Sequence, residues 1–99
     1  MPKMKKRLAP LKRAAFQAAF EDRVLRGEIT VGKAIREIRQ TILAVQQDQM
    51  ARMMRVSKNT LGAIERDEGT ERISTLEKVL KPLGYRITIV PDVSGKKSS

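Results

Sequence analysis

Apolar residues recur at helical spacing along most of this chain, and breaks in the rhythm divide it into five helices and one strand. A first helix is predicted from about Pro10 to Arg26, with Pro10 suited to the first turn and Gly27 a natural stop. It carries two apolar stripes, Phe16, Ala19, Phe20 and Val24 on one side and Leu11, Ala14, Ala18 and Leu25 on the other. Two stripes fit either a helix wedged in a single core or a helix that also packs on a second subunit. Thr30 can cap a second helix running to about Leu43, in which Val31, Ala34, Ile35, Ile38 and Ile42 share one face. The third helix is predicted at Gln47–Met54, with Met50, Ala51 and Met54 inward, and the fourth at Ser57–Arg66, with Ser57 as cap and Leu61 and Ile64 inward. After a polar loop, Asp67–Arg72, Ser74 and Glu77 have the spacing of a capping box, opening a fifth helix with Leu76, Val79, Leu80 and Leu83 on its apolar face. Gly84 ends that helix.

Tyr85–Val90 alternates and is rich in β-branched residues, so it predicts a short strand, stopped by Pro91. A lone strand leaves its backbone donors and acceptors unpaired. Pairing of Tyr85, Arg86, Ile87, Thr88, Ile89 and Val90 with the same residues of a second copy resolves this and predicts a symmetric dimer. The alternatives are pairing elsewhere within the chain, or an irregular segment lying over the core.

Composition narrows the function classes. The chain has 99 residues, room for one core, and only three aromatics, Phe16, Phe20 and Tyr85, so the core is expected to be aliphatic. It has neither Cys nor His. The side chains most used for nucleophilic attack, proton transfer near neutrality and zinc ligation are therefore missing. Asp67, Glu68 and Glu71 cluster in one loop, but nothing supports them as a catalytic or metal group. The expectation is no enzyme, no cofactor and no metal, in a reducing cytoplasm.

The formal net charge is +10, which points to a polyanionic partner. Residues 1–26 hold eight basic and two acidic residues, a net of +6. No apolar run approaches a membrane span, and the charge of the first helix is spread around it, so no membrane partner is expected.

The stretch Gln46–Asp67, QQDQMARMMRVSKNTLGAIERD, reads as helix, tight turn and second helix, apolar inward and basic outward. It resembles the helix-turn-helix of the Cro/phage-repressor (XRE) family at Gln47, Ala51, Val56, Ser57, Thr60, Leu61, Ile64 and Glu65. The resemblance covers residues 31–84 and implies an all-α, five-helix phage-repressor-like domain. To this the chain adds an N-terminal helix and a C-terminal strand paired across a dimer. The organisation it implies is a basic disordered arm at 1–9, the N-terminal helix at 10–27, the DNA-binding domain at 30–84, the dimerisation strand at 85–90 and a disordered tail at 91–99.

By family position, Lys58, Asn59, Gly62 and Ala63 are expected to face DNA bases. Lys58 can donate to guanine, Asn59 can pair with adenine, and Gly62 and Ala63 offer close approach or methyl contact. Gln47, Arg52, Arg55, Ser57, Thr60 and Arg66 are expected at phosphates. Arg39 is implied as the buried partner of Glu65. Two departures stand out: the turn has Arg55 where the family usually has Gly, and the link TILAV is one residue longer than usual. A left-handed conformation at Arg55 costs about 1–2 kcal/mol.

A narrower resemblance joins Ile73, Leu76, Leu83 and the Tyr85–Val90 strand to HipB-like antitoxins. The function implied is a homodimeric, sequence-specific transcriptional regulator, a repressor on a palindromic operator. The alternative is an antitoxin that neutralises a toxin protein and autoregulates its operon.

Overall fold

The computed structural model describes residues 9–92, and within them the chain is helical. Its five α-helices are α1 Pro10–Leu25, α2 Val31–Glu37, α3 Gln47–Met54, α4 Lys58–Glu65 and α5 Ile73–Leu80. All but Ala9 of the expected basic arm, and all but Pro91 and Asp92 of the expected tail, lie outside the described residues.

Local chemistry accounts for most boundaries. Thr30 holds an extended backbone and its hydroxyl accepts from Lys33 N–H, capping α2. Ser57 does the same for Thr60 N–H and so starts α4. The capping box expected at Ser74 is not formed: α5 begins two residues earlier than that cap would place it, at Ile73, with Arg72 as its uncapped flanking residue. Arg72 supplies only its carbonyl, which accepts from Thr75 and Leu76 N–H, so Ser74 falls inside the first turn.

The second helix does not continue as an α-helix to Leu43. After Glu37 it widens into a π-helical segment, Ile38–Leu43, and ends with Ala44 in the left-handed conformation (φ 56°). Val45 N–H then bonds back to the Arg39 carbonyl at 3.1 Å, six residues along. That closure is one residue wider than the usual left-handed helix ending.

The central core is aliphatic. Ile35, Met50, Leu61 and Val79 are fully buried, one from each of α2 to α5. The aromatics form a satellite that docks α1. Phe20 is fully buried, with Phe16 stacked at 6.0 Å and Tyr85 edge-on at 6.1 Å. The Arg23 guanidinium lies 5.8 Å above the Phe20 ring and forks onto Glu37 of α2 at 2.6 and 3.2 Å. The Phe16, Phe20 and Val24 side of α1 is thus inward, whereas Leu11 and Leu25 of the other stripe are 87% and 76% exposed.

No strand forms among the described residues. Residues 85–90, expected as a strand, border a groove of about 200 Å³ with α1 and α2. A strand exists only as part of a hydrogen-bonded ladder, and no neighbouring strand for 85–90 lies among the described residues. The alternation holds as far as Thr88 and fails at Ile89. Tyr85 and Ile87 pack toward the core, Arg86 and Thr88 are exposed, and Ile89 is 94% exposed. No described helix is long and apolar enough to cross a membrane.

Candidate nucleic-acid interface

Two short helices joined by a turn make the centre of this domain. Ala51 of α3 is buried where the helices cross closely. Val56 N–H returns to the Ala51 carbonyl at 3.0 Å, which closes the turn. Arg55 occupies the left-handed region (φ 59°, ψ 42°), a conformation that favours glycine. Its carbonyl accepts from Lys78 Nζ of α5 at 3.0 Å. Sequence reasoning missed Lys78, because nothing local connects residues 23 apart.

The second helix of the pair, α4, is pinned to α2 by its buried face and by the turn that follows it. Leu61 and Ile64 fill the core, and Glu65 is buried beside Arg39. Arg39 Nε donates to Glu65 Oε2 at 2.7 Å and Nη2 to Oε1 at 3.0 Å, while Nη1 donates to the Val45 carbonyl at 3.0 Å. Gln47 Nε2 adds a bond to Glu65 Oε1 at 2.9 Å. Among the described residues no buried side-chain nitrogen or oxygen lacks a partner.

Beyond α4, Asp67 (φ 55°) accepts from Thr30 Oγ1 at 2.6 Å and from Gly32 N–H at 2.9 Å. Gly32 is required at that crossing, since a Cβ there would collide with the Ile64 carbonyl and the Asp67 carboxylate. The two ties make α4 a rigid rod with one face left outward.

A family model described as helix-turn-helix matches residues 35–90, more than half of the chain. The chain belongs to the Cro/C1-type (XRE) helix-turn-helix family. This is a family of DNA-binding transcription regulators, not of enzymes. Comparison with curated proteins and with solved structures gave no match.

Within this XRE domain the expected site residues separate into groups. Lys58 and Asn59 are both exposed at the start of α4. Gly62 and Ala63, expected to be open to bases, are not. Gly62 is buried, because the Arg66 side chain folds back over it. Ala63 is half-buried and borders a cleft with Val31, Gly32, Gly69 and Leu76. Arg52 and Arg55 are exposed beside the turn. The Ser57 hydroxyl is occupied with the cap and also donates to Thr60 Oγ1 at 2.9 Å. Gln47 is half-buried, its amide is committed to Glu65, and its backbone N–H stands at the first position of α3. Arg66 is exposed and paired with Glu68 at 2.6 Å. The structure brings Arg39 and Glu65 together, with Arg39 inside the π-helical segment Ile38–Leu43.

Proposed function

We propose that the protein is a homodimeric, sequence-specific transcriptional repressor that binds a palindromic operator in the cytoplasm. The observation that carries this reading is the exposed, basic start of α4, Lys58 and Asn59, on a helix whose other face is fastened to α2. A recognition helix needs that rigidity, since base contacts pay only if the helix cannot shift in the groove. Lys58 donates to guanine and Asn59 pairs with adenine. Arg52, Arg55, Ser57, Thr60 and the N-terminus of α3 at Gln47 meet phosphates and set the register. Residues 85–90 pair with their counterparts in a second copy, and the two α4 helices then reach half-sites about one DNA turn apart.

The test is selection of bound DNA from a random pool together with the protein's mass in solution. A palindromic site and a dimer mass are expected. Lys58→Ala combined with Asn59→Ala should abolish the preference and leave weak, salt-sensitive binding. Unchanged preference in that double variant would sink the reading.

A second reading, an antitoxin that holds a toxin protein, draws on one observation, the exposed Leu11 and Leu25 stripe of α1. Co-expression with the product of the adjacent gene tests it. A stable complex that dissociates on Leu11→Asp or Leu25→Asp supports it, and the lack of a complex leaves a stand-alone regulator.

A further inference from the structure

Gly62 is an anomaly on α4. Glycine is a poor helix former, and this one lies in the helical, not the left-handed, region, so no turn requires it. What occupies the space is Arg66. A Cβ built on Gly62 would stand 3.0 Å from Arg66 Nη1, 3.8 Å from Cζ and 3.9 Å from Nη2. No other heavy atom outside the local helix backbone comes comparably near. Gly62 is therefore a platform for one guanidinium.

The platform lies in the outward strip of α4. Asn59, Gly62 and Arg66 follow each other at spacings of three and four, so they share one helix face. Side chains on a helix lean toward its N-terminus, which carries the Arg66 head back toward Asn59. Glu68 takes the Nε edge of the guanidinium, with Nε–Oε2 at 2.6 Å. The Nη1 and Nη2 ends lie over the glycine.

We propose that Arg66 is a specificity-determining residue that reads a guanine from the Gly62 platform, with Glu68 positioning its guanidinium. The inference rests on the DNA-binding reading above and deepens it. A guanidinium donates and never accepts, so its match among base edges is the one with two neighbouring acceptors, guanine N7 and O6. Glu68 aligns the fork from the side, and an exposed pair of this kind is weak enough to adjust when the groove closes on it. The contact assigned to position 62 in the sequence is thus made by the residue one turn later.

The experiment is selection of bound DNA by the full-length protein and by Arg66→Ala, Gly62→Ala and Glu68→Gln, with melting followed by circular dichroism. The wild type is expected to select guanine at one base pair of each half-site beyond those read by Lys58 and Asn59. Arg66→Ala should lose about tenfold or more of that preference and leave the other positions intact. Gly62→Ala retains the arginine but pushes its head aside. It should weaken the same preference about threefold without lowering the melting temperature. Glu68→Gln should weaken it in the same direction. Two results overturn the inference: uniform weakening on all sequences by Arg66→Ala with a salt slope reduced by about one, the mark of a phosphate contact, or an unchanged preference in Gly62→Ala. If the wild type selects no sequence at all, the DNA-reading function fails, and this inference fails with it.

Discussion

Arg39 and Glu65 show how much one buried pair can organise. Their side chains are 9% and 3% exposed, and two further groups converge on them: the Val45 carbonyl and the Gln47 amide. Burying two charges costs several kcal/mol each, and their attraction offsets this only when geometry and extra hydrogen bonds are good. Removing one partner leaves the other charge stranded. Glu65→Ala or Arg39→Ala should therefore cost about 3–5 kcal/mol in urea unfolding, while an Arg39→Met, Glu65→Leu double variant recovers most of it. A single variant that unfolds like the wild type would show that the pair contributes little. Arg55 is the opposite case, a residue held against its own preference. Arg55→Gly should raise stability by about 1 kcal/mol and weaken DNA binding with a shallower salt dependence. A loss of stability would mean that Arg55 makes contacts that outweigh its left-handed backbone.

At the scale of elements, the crossing of α2 and α4 sets the orientation of the proposed reading helix. It works because Gly32 has no side chain and because Asp67 reaches back to Thr30 and the Gly32 N–H. Gly32→Ala should cost about 1–3 kcal/mol by overpacking and should reduce operator preference along with stability. A melting temperature equal to the wild type's would show that the crossing relaxes freely. The π-helical segment belongs to the same scale. Most inward positions of α2 to α5 could be read from apolar spacing, whereas the choice between the two stripes of α1 and the widening at Ile38–Leu43 could not. Spacing reports which residues are inward, and α and π turns bury much the same residues over so short a stretch. At Ser74 local preference pointed the other way: Ser is the favoured cap, yet Arg72 takes the flanking position and no side chain caps the helix there.

For the whole molecule the open surfaces matter most. Ile89 is 94% exposed and Val90 50%, at the end of an alternating segment whose backbone forms no ladder among the described residues. If 85–90 pairs across a two-fold axis, Ile89→Asp should leave a folded monomer, because the single chain buries almost none of that side chain. The measured mass should halve, and operator affinity should fall about tenfold or more as the two half-sites are bound separately. A variant that stays dimeric places the interface elsewhere. For the proposed function the positive charge acts at this scale too, as a field that draws the molecule to DNA of any sequence.

The sequence by itself determined the helices, the family and the two exposed residues at the start of α4. Each is encoded locally, by apolar spacing, by a cap such as Ser57, or by a run of positions that agree in order. Tertiary structure alone decided what covers what. That Arg66 lies on Gly62, that Gln47 is drawn to Glu65, that Lys78 holds the turn carbonyl and that Asp67 locks α2 are contacts a side chain makes across the fold, with backbone or with another side chain. All but the first join residues 18 to 35 apart. Their partners are chosen by where the packed helices bring them, and no local pattern in the chain records that choice.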